Sequence, residues 1–386
     1  MRPADRLNHV PMYVFAALGT RIRELQAQGL DVIRLDIGSP DMPPPDFVIE
    51  ALHRSATNPK HHGYAGYFGT PALRQAIADH YARRFGVELD VATEVQPLIG
   101  SKEGIANLAL GWLDAGDIAL VPDPGYPSYR MGTSLAGGET YALPLLAEND
   151  FLPDLDAIPD EIASRARLLW LNYPNNPTGA VAPLEFFERA VAFARKHDLL
   201  ICHDAPYTEI SFDGYQAPSL LQVPGAKEVA VEFNSLSKSH NMAGWRVGMA
   251  VGNAQAISAL LQVKSNIDSG IFRPIQDAAV AALNGDQSWL AERNAIYQMR
   301  RDMVLEVLKE MGIRAHRPKA GLYIWAETPP GYTSAAFADK LLREAGVSVT
   351  PGSAFGQHGE GYLRISLGQD TERIREALDR LKEFRW

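Results

Sequence analysis

The stretch Asn234–Gly248, NSLSKSHNMAGWRVG, decides how this chain is read. Val229, Val231 and Phe233 precede it at alternate positions, as for a strand that runs into a loop. The loop sets Lys238 between the hydroxyls of Ser235 and Ser237 and the guanidinium of Arg246. A lysine amine condenses with a carbonyl compound to an imine. The hydroxyls and the guanidinium can hold an anion beside it. Together they describe a lysine site for an aldehyde that carries a phosphate, which is what pyridoxal 5'-phosphate requires. A lone SxSK tetrapeptide is more often an ordinary solvated loop, so the reading depends on what the rest of the chain supplies.

Working outward, Leu199–Cys202 is expected to be a strand that delivers Asp204 and Tyr207. Leu168–Leu171 leads into NYPNNPTG, which carries Asn176, and Ile118–Pro122 leads into DPGYPSY, which carries Tyr126. Val95–Ile99 passes through GSKEG to an apolar helix, Ile105–Leu113. Ser101 and the amides of Lys102 and Glu103 then lie at a helix N-terminus, a ready anion site. Neither the Walker nor the Rossmann glycine spacing is present. Short apolar strands alternating with amphipathic helices, with a further strand at Met249–Val251, predict an α/β fold with a mainly parallel sheet. Ligands of such sheets bind beyond the strand C-termini, so Ser101, Tyr126, Asn176, Asp204 and Lys238 should converge on one edge.

Each requirement of the cofactor has a candidate. Lys238 offers the amine. Asp204 can hold a proton on the ring nitrogen, which keeps the ring an electron sink. Asn176 and Tyr207 can donate to the phenolic oxygen, and Tyr126 offers a flat face. The phosphate falls to Ser101, Ser235 and Arg246. In YLRISL the apolar positions are Leu363, Ile365 and Leu367, so Arg364 shares the other face with Tyr362 and Ser366. A planar guanidinium suits an amino-acid α-carboxylate, which it can hold by two parallel hydrogen bonds. Taken singly, these residues have plainer readings: a capping aspartate, ordinary aromatic packing, a solvated strand arginine. Their occurrence as a set favours the site.

The flanks complete the layout. The arm 1–35 carries a helix over Ala16–Gln28, ended by Gly29, and VIRLDIGSPDMPPPD follows as a short strand, a turn at Gly38 and a Pro-rich loop. Helices over 46–58 and 71–84 flank the Gly/Tyr-rich HHGYAGYFG, which contains Tyr64, and another is expected over 183–197. A long helix, Trp289–Met311, introduces an α+β segment: strand YIWA, helix 334–345, strand VSVTPG, strand YLRISL and a last helix from Thr371. A chain of 386 residues is long for one core, and the expected division is 1–35 (arm and part of a small domain), 36–285 (large cofactor-binding domain) and 286–386 (small C-terminal domain). Hydrophobic content of 46% and charge of 22% are ordinary for a globular protein, and a net charge of −9 argues against nucleic acid as a partner. The single cysteine, Cys202, reads as a buried strand thiol and excludes an internal disulfide. There is no apolar run of membrane-spanning length and no secretory h-region, so the expected location is the cytoplasm. No metal enters the reading.

With SLSKSHNMAGWRVG, NYPNNPTG, HDAPY and GSKEG together, the chain resembles the class I/II aminotransferases of the fold type I pyridoxal phosphate enzymes over nearly its whole length. That resemblance implies a large domain with a mainly parallel mixed sheet between helices. A smaller α+β domain is built from the N-terminal arm and the C-terminal part. It also implies a homodimer with shared active sites, Tyr64 reaching the neighbouring subunit's cofactor phosphate, and a backbone contact from Gly38 to the substrate carboxylate. Lys238 is then the general base and the kinetics are ping-pong, between an amino acid and a 2-oxoacid. The wording of GSKEG and SKSHNMAGWR is similar to the diaminopimelate and alanine branch. Tyr13, Lys102 and Glu103 are the polar side chains expected near the distal pocket, which suits LL-diaminopimelate or, if small, alanine, with 2-oxoglutarate and glutamate as the other pair. No counterpart is found of the arginine that aspartate-specific members use on the side-chain carboxylate, and the stacking residue is a tyrosine where some members have tryptophan. An aspartate or aromatic aminotransferase and a β-lyase or decarboxylase on the same fold are the alternatives. A regulator that uses the fold as a ligand-binding module would need a basic DNA-binding segment ahead of it, and none is expected here.

Overall fold

The computed structural model describes residues 2, 4, 7, 8 and 14–386, so Tyr13 lies outside the described residues. In chain order the strands are β1 (Ile33–Arg34), β2 (Val95–Leu98), β3 (Ile118–Asp123), β4 (Glu139–Pro144), β5 (Ala166–Asn172), β6 (Leu200–Asp204), β7 (Ala230–Ser235), β8 (Gly248–Gly252), β9 (Tyr323–Glu327), β10 (Val347–Ser348), β11 (Thr350–Pro351) and β12 (Tyr362–Ser366). The main sheet has seven strands in the order β2-β8-β7-β6-β5-β3-β4. From β4 to β7 every pairing is parallel, while β8 runs antiparallel to both β7 and β2.

The central strands are apolar on both faces because helices cover both. Leu168, Trp170, Val231 and Phe233 pack with Ile105 and Leu108 of the helix Ser101–Trp112. The alternate residues Leu169, Leu171 and Ile201 pack with Phe186, Phe187 and Val191 of the helix Leu184–His197. This two-residue alternation sorts one strand into two separate cores. Cys202 is fully buried in the first of them.

A second body rests on the three-stranded antiparallel sheet β11-β12-β9 and on β1, which pairs in parallel with β10. Leu35, Phe337, Leu363, Ile365 and Leu378 share its core with Val304 and Leu308 of the long helix Trp289–Glu310. That helix is not a simple apolar stripe, since Arg293, Arg300 and Arg301 are also buried. Arg300 holds Asp41 by two bonds of 2.8 and 2.9 Å, tying the helix to the loop after β1. The expected strand VSVTPG is in fact two: Val347–Ser348 joins β1, and Thr350–Pro351 joins β12. Val349 lies between them and is buried in the second core, so the chain changes sheets without leaving it. The helix expected over Ile105–Leu113 begins four residues earlier, at Ser101. The strand Glu139–Pro144 and the helices Ser128–Ala136, Ala254–Ile267 and Arg273–Asn284 have no counterpart in the sequence reading.

The antiparallel run of β8 is the feature of the sheet that builds the lysine loop. Its neighbours end at one edge of the sheet, and β8 begins there. The lysine loop is therefore folded back on itself, with Leu236 N donating to Val247 O at 3.1 Å, and Arg246 returns to the edge where Lys238 sits. At its other end β8 closes on Gly252, with φ +124°, where an added Cβ would stand 2.5 Å from the Ala230 carbonyl oxygen. Gly252→Ala is expected to lower stability by about 1–3 kcal/mol through this strain and crowding. Urea unfolding checks it, and an unmoved transition would contradict the crowding.

Candidate active site

The ends of β2, β3, β5, β6 and β7 and the start of β8 open onto one cavity of about 330 Å³, whose walls include Ser101, Tyr126, Asn176, Asp204, Lys238 and Arg246. Gly38 and Arg364, from the second body, close its far side. The expected convergence on one sheet edge is what the topology produces.

Lys238 sits on the helical turn Leu236–Ser239, straight after β7, and Ser235 caps that turn by accepting from Ser237 N at 3.2 Å. Its Nζ donates to the Gly38 carbonyl. Burial, helped by the cations Arg364 and Arg246, pushes the Lys238 ammonium down to about 8. A free amine is thus within reach near neutral pH, which nucleophilic and basic roles need. Gly38 has its own constraint: an added Cβ would fall 2.2 Å from the Tyr323 hydroxyl.

Asp204 ends β6. Its Oδ2 accepts from Tyr129 Oη at 2.7 Å, and its carbonyl accepts from Asn172 Nδ2 at 2.6 Å. Its Oδ1 is buried and has no hydrogen-bond partner among the described residues. Burial pushes the carboxyl up to about 6, against the pull of the Tyr129 hydrogen bond and of His203. A buried carboxylate oxygen lacking a donor, on a cavity wall, suits a ring N–H that arrives with a ligand.

Arg364 is buried, donating to Asn176 Oδ1 at 2.9 Å and to the Asp36 carbonyl at 2.7 Å, with its guanidinium over the rings of Tyr323 and Phe355. Because a guanidinium only donates, Asn176 must turn its oxygen to Arg364, which aims its Nδ2 donor elsewhere. Tyr207 and Tyr323 share a 2.8 Å hydroxyl–hydroxyl hydrogen bond. Arg246 donates to Ser237 Oγ at 3.2 Å and to the Ala243 carbonyl at 2.9 Å. Its guanidinium lies against Gly100, where an added Cβ would stand 2.2 Å from Nη2. Gly100 immediately precedes the helix that starts at Ser101, so Arg246, Ser101, Ser235 and Ser237 form one polar corner of the cavity.

Two sequence candidates fall elsewhere. Glu103 spends its carboxylate on Ile99 N, at 2.9 Å, and on Lys264. Its side chain turns back under the helix start and does not line the cavity. Tyr64 is 92% exposed and does not line the cavity of its own chain. Lys102 does line it. Sequence reasoning missed Tyr129, whose ring stacks on Trp170 at 4.9 Å and meets Tyr126 edge-on at 5.8 Å, so that it supports both Tyr126 and Asp204. Its place one helical turn after Tyr126 was the available signal. Tyr323 and Asn172 were missed as well, and the pairing of Tyr207 with a residue 116 positions away has no local signature.

A sheet edge that gathers a lysine, a buried acid, an anion corner and a buried arginine defines an enzyme of the fold type I transaminase class. The chain belongs to the family of class I and II aminotransferases, whose family model matches residues 30–381. It is 55% identical over 382 residues to an LL-diaminopimelate aminotransferase of Moorella thermoacetica, covering 99% of this chain and 98% of the relative. Its structure is similar to that of substrate-bound BacF from Bacillus subtilis, with a TM-score of 0.95, 40% identity and 99% and 97% of the two chains covered. It is also similar to a mutant aspartate aminotransferase of Thermus thermophilus, with a TM-score of 0.93, 32% identity and 99% and 100% covered. Among the described residues no helix is long and apolar enough to cross a membrane.

The raised Asp204 carboxyl predicts a pH-dependent stability for the chain by itself. A carboxyl raised from 3.8 to about 6 contributes stability that is complete below pH 3.8 and is lost as pH rises through 6. Asp204→Asn removes that loss. Between pH 4 and pH 7 the wild-type chain should lose about 2 kcal/mol relative to the variant, at ~1.4 kcal/mol per unit. Parallel pH profiles in urea unfolding would refute the raised value.

Proposed function

We propose that the chain binds pyridoxal 5'-phosphate and moves the α-amino group of LL-diaminopimelate to 2-oxoglutarate, as a cytoplasmic homodimer. The observation that carries the cofactor reading is the buried Oδ1 of Asp204, lacking a donor, on the wall of the same cavity as Lys238. The donor reading rests on the likeness to the LL-diaminopimelate aminotransferase of Moorella thermoacetica and on the polar walls of the cavity.

When bound, pyridoxal phosphate supplies an electron sink for the pair left on a substrate α-carbon. Asp204 would hold the proton on its ring nitrogen, and Tyr207 and Asn176 Nδ2 would donate to its phenolic oxygen. Tyr126 would offer the ring a flat face. Ser101, the amides of Lys102 and Glu103, Ser235 and Arg246 would hold the phosphate. Arg364 and the backbone at Gly38 orient the substrate α-carboxylate. Lys238 Nζ takes the α-proton, a role that its lowered ammonium pKa favours. Donor and acceptor share one cavity and one carboxylate reader, so they must occupy it in turn, which gives ping-pong kinetics.

The homodimer reading has a surface argument. Tyr64, Tyr67 and Phe68 are exposed on one loop, and Ile267 and Phe272 on another. The two loops touch, since an added Cβ at Gly270 would stand 2.2 Å from the Gly66 carbonyl oxygen. This aromatic and aliphatic cluster suits burial against a second copy, where Tyr64 would meet the other subunit's phosphate.

The test is a half-reaction screen in which amino acids are added singly and the cofactor spectrum is followed. LL-diaminopimelate and glutamate should each convert it to the amine form with release of oxoacid. Preference for phenylalanine or aspartate would sink the donor assignment, and ammonia release in place of the amine form would favour a lyase. Lys238→Ala should lower turnover by about 10²–10⁴-fold at least. Mixed with inactive Tyr64→Ala subunits, it should regain partial activity through one intact hybrid site. Verified heterodimers that stay inactive would count against the shared site.

A further inference from the structure

The cavity holds a second pair of charges that the cofactor and α-carboxylate roles leave unused. Arg34, the last residue of β1, donates from Nε to Asp36 Oδ1 and from Nη2 to Asp36 Oδ2, both at 2.6 Å. Both residues line the cavity that contains Lys238 and Arg364. The backbone that carries them is fixed from two sides. Arg34 is in register with Ser348 of β10, and Leu35 N donates to the Ser348 carbonyl at 2.8 Å. The Asp36 carbonyl accepts from Arg364 at 2.7 Å. The pair is therefore held at a set offset from the arginine assigned to the α-carboxylate.

We propose that Arg34 and Asp36 read the far end of the substrate, Arg34 taking a distal carboxylate and Asp36 a distal ammonium. This deepens the LL-diaminopimelate reading and rests on it. LL-diaminopimelate ends in a second amino-acid group, with a cation and an anion on one carbon. A fixed guanidinium–carboxylate pair presents the complementary charges side by side. The fork occupies Nε and Nη2 of Arg34, which leaves the Nη1 edge to meet a carboxylate, since a guanidinium has donors on all three nitrogens. 2-Oxoglutarate and glutamate bring a distal carboxylate and no distal ammonium. Arg34 then serves both half-reactions, and Asp36 only the diamino donor. An apolar side chain placed here would strip water from two charges and give nothing in return, which discriminates against it. Lys102 lines the same cavity, where burial and the neighbouring Arg246 cation push its ammonium down.

The test uses the holoenzyme and compares kcat/KM among LL-diaminopimelate, glutamate and alanine, each as a single half-reaction. Arg34→Gln should lower the glutamate-to-alanine ratio at least about tenfold, the size expected for one hydrogen bond to a charged group. Asp36→Asn should lower the LL-diaminopimelate-to-glutamate ratio by a similar factor. A role confined to structure would move all three substrates together, and unchanged ratios in either variant would overturn that residue's assignment. Arg34→Gln leaves Asp36 buried without its counter-ion and could fail to fold. The double variant R34Q/D36N removes both charges and carries the same test, with both ratios expected to fall. If the wild-type enzyme is idle on LL-diaminopimelate, the donor reading and the role of Asp36 fall together. The glutamate-to-alanine ratio still decides Arg34.

Discussion

Arg364 is the constraint on which the site depends. Its guanidinium is buried, and burying a cation is costly unless its donors are satisfied. It meets that demand partly outside its own sheet, at Asn176 on a loop of the main sheet and at the Asp36 carbonyl on the segment after β1, and partly against the faces of Tyr323 on the neighbouring β9 and of Phe355. Three separate parts of the chain must therefore come together around one side chain. That requirement brings the second body against the sheet edge and gives the cavity its far wall. It also fixes which way Asn176 points. A lysine in the same place could neither span these partners nor stack on the rings.

The two titrating groups of the site are pushed by one cause in opposite directions. Burial disfavours charge, so the Lys238 ammonium is lowered to about 8 and the Asp204 carboxyl raised to about 6. Both shifts favour the neutral form of the group. A ligand with a ring cation and a phosphate reverses the balance at both ends. It gives Asp204 a counter-charge and gives Arg246 an anion, while Lys238 is already prepared to act as an amine. A preorganised polar cavity of this kind is costly to hold by itself, and a ligand of complementary charge, as the proposed pyridoxal phosphate would be, offsets that cost. Below the site, Tyr129 and Trp170 form an aromatic support that holds Asp204 and Tyr126 without any loop having to be rigid on its own.

Much of the fold was legible because it is written in short-range patterns. Apolar runs such as LLWL and LLICHD read as strands of a covered parallel sheet, and that is where they lie. Residues that follow strands, from Ser101 to Lys238, could be assigned to one edge because parallel strands all end on the same side. Where the pattern was ambiguous, the reading was silent or simplified. The half-exposed strand Glu139–Pro144 lies at the sheet margin and lacks the apolar run of its neighbours. The helix Trp289–Glu310 buries arginines, which no hydrophobic period reports. VSVTPG looks like one strand because nothing local marks the point where it passes from one sheet to another.

By itself, the amino-acid sequence determined the chemistry on offer: a lysine among hydroxyls, an acid after an apolar strand, and an arginine on the face of YLRISL opposite its apolar residues. It also determined the α/β class, since alternation and strand spacing are properties of neighbouring residues. Tertiary structure decided everything that depends on who meets whom. It returned Arg246 to Lys238 through an antiparallel strand, put Tyr129 under Asp204, paired Tyr207 with Tyr323, and turned Glu103 away from the cavity that Lys102 faces. It also set the Arg34–Asp36 pair in the wall of the cavity that contains Lys238. The physical reason is the same in each case. A side chain's type states what bonds it can make, but its partners, its burial and hence its charge state are fixed only when segments distant in the chain are packed against each other.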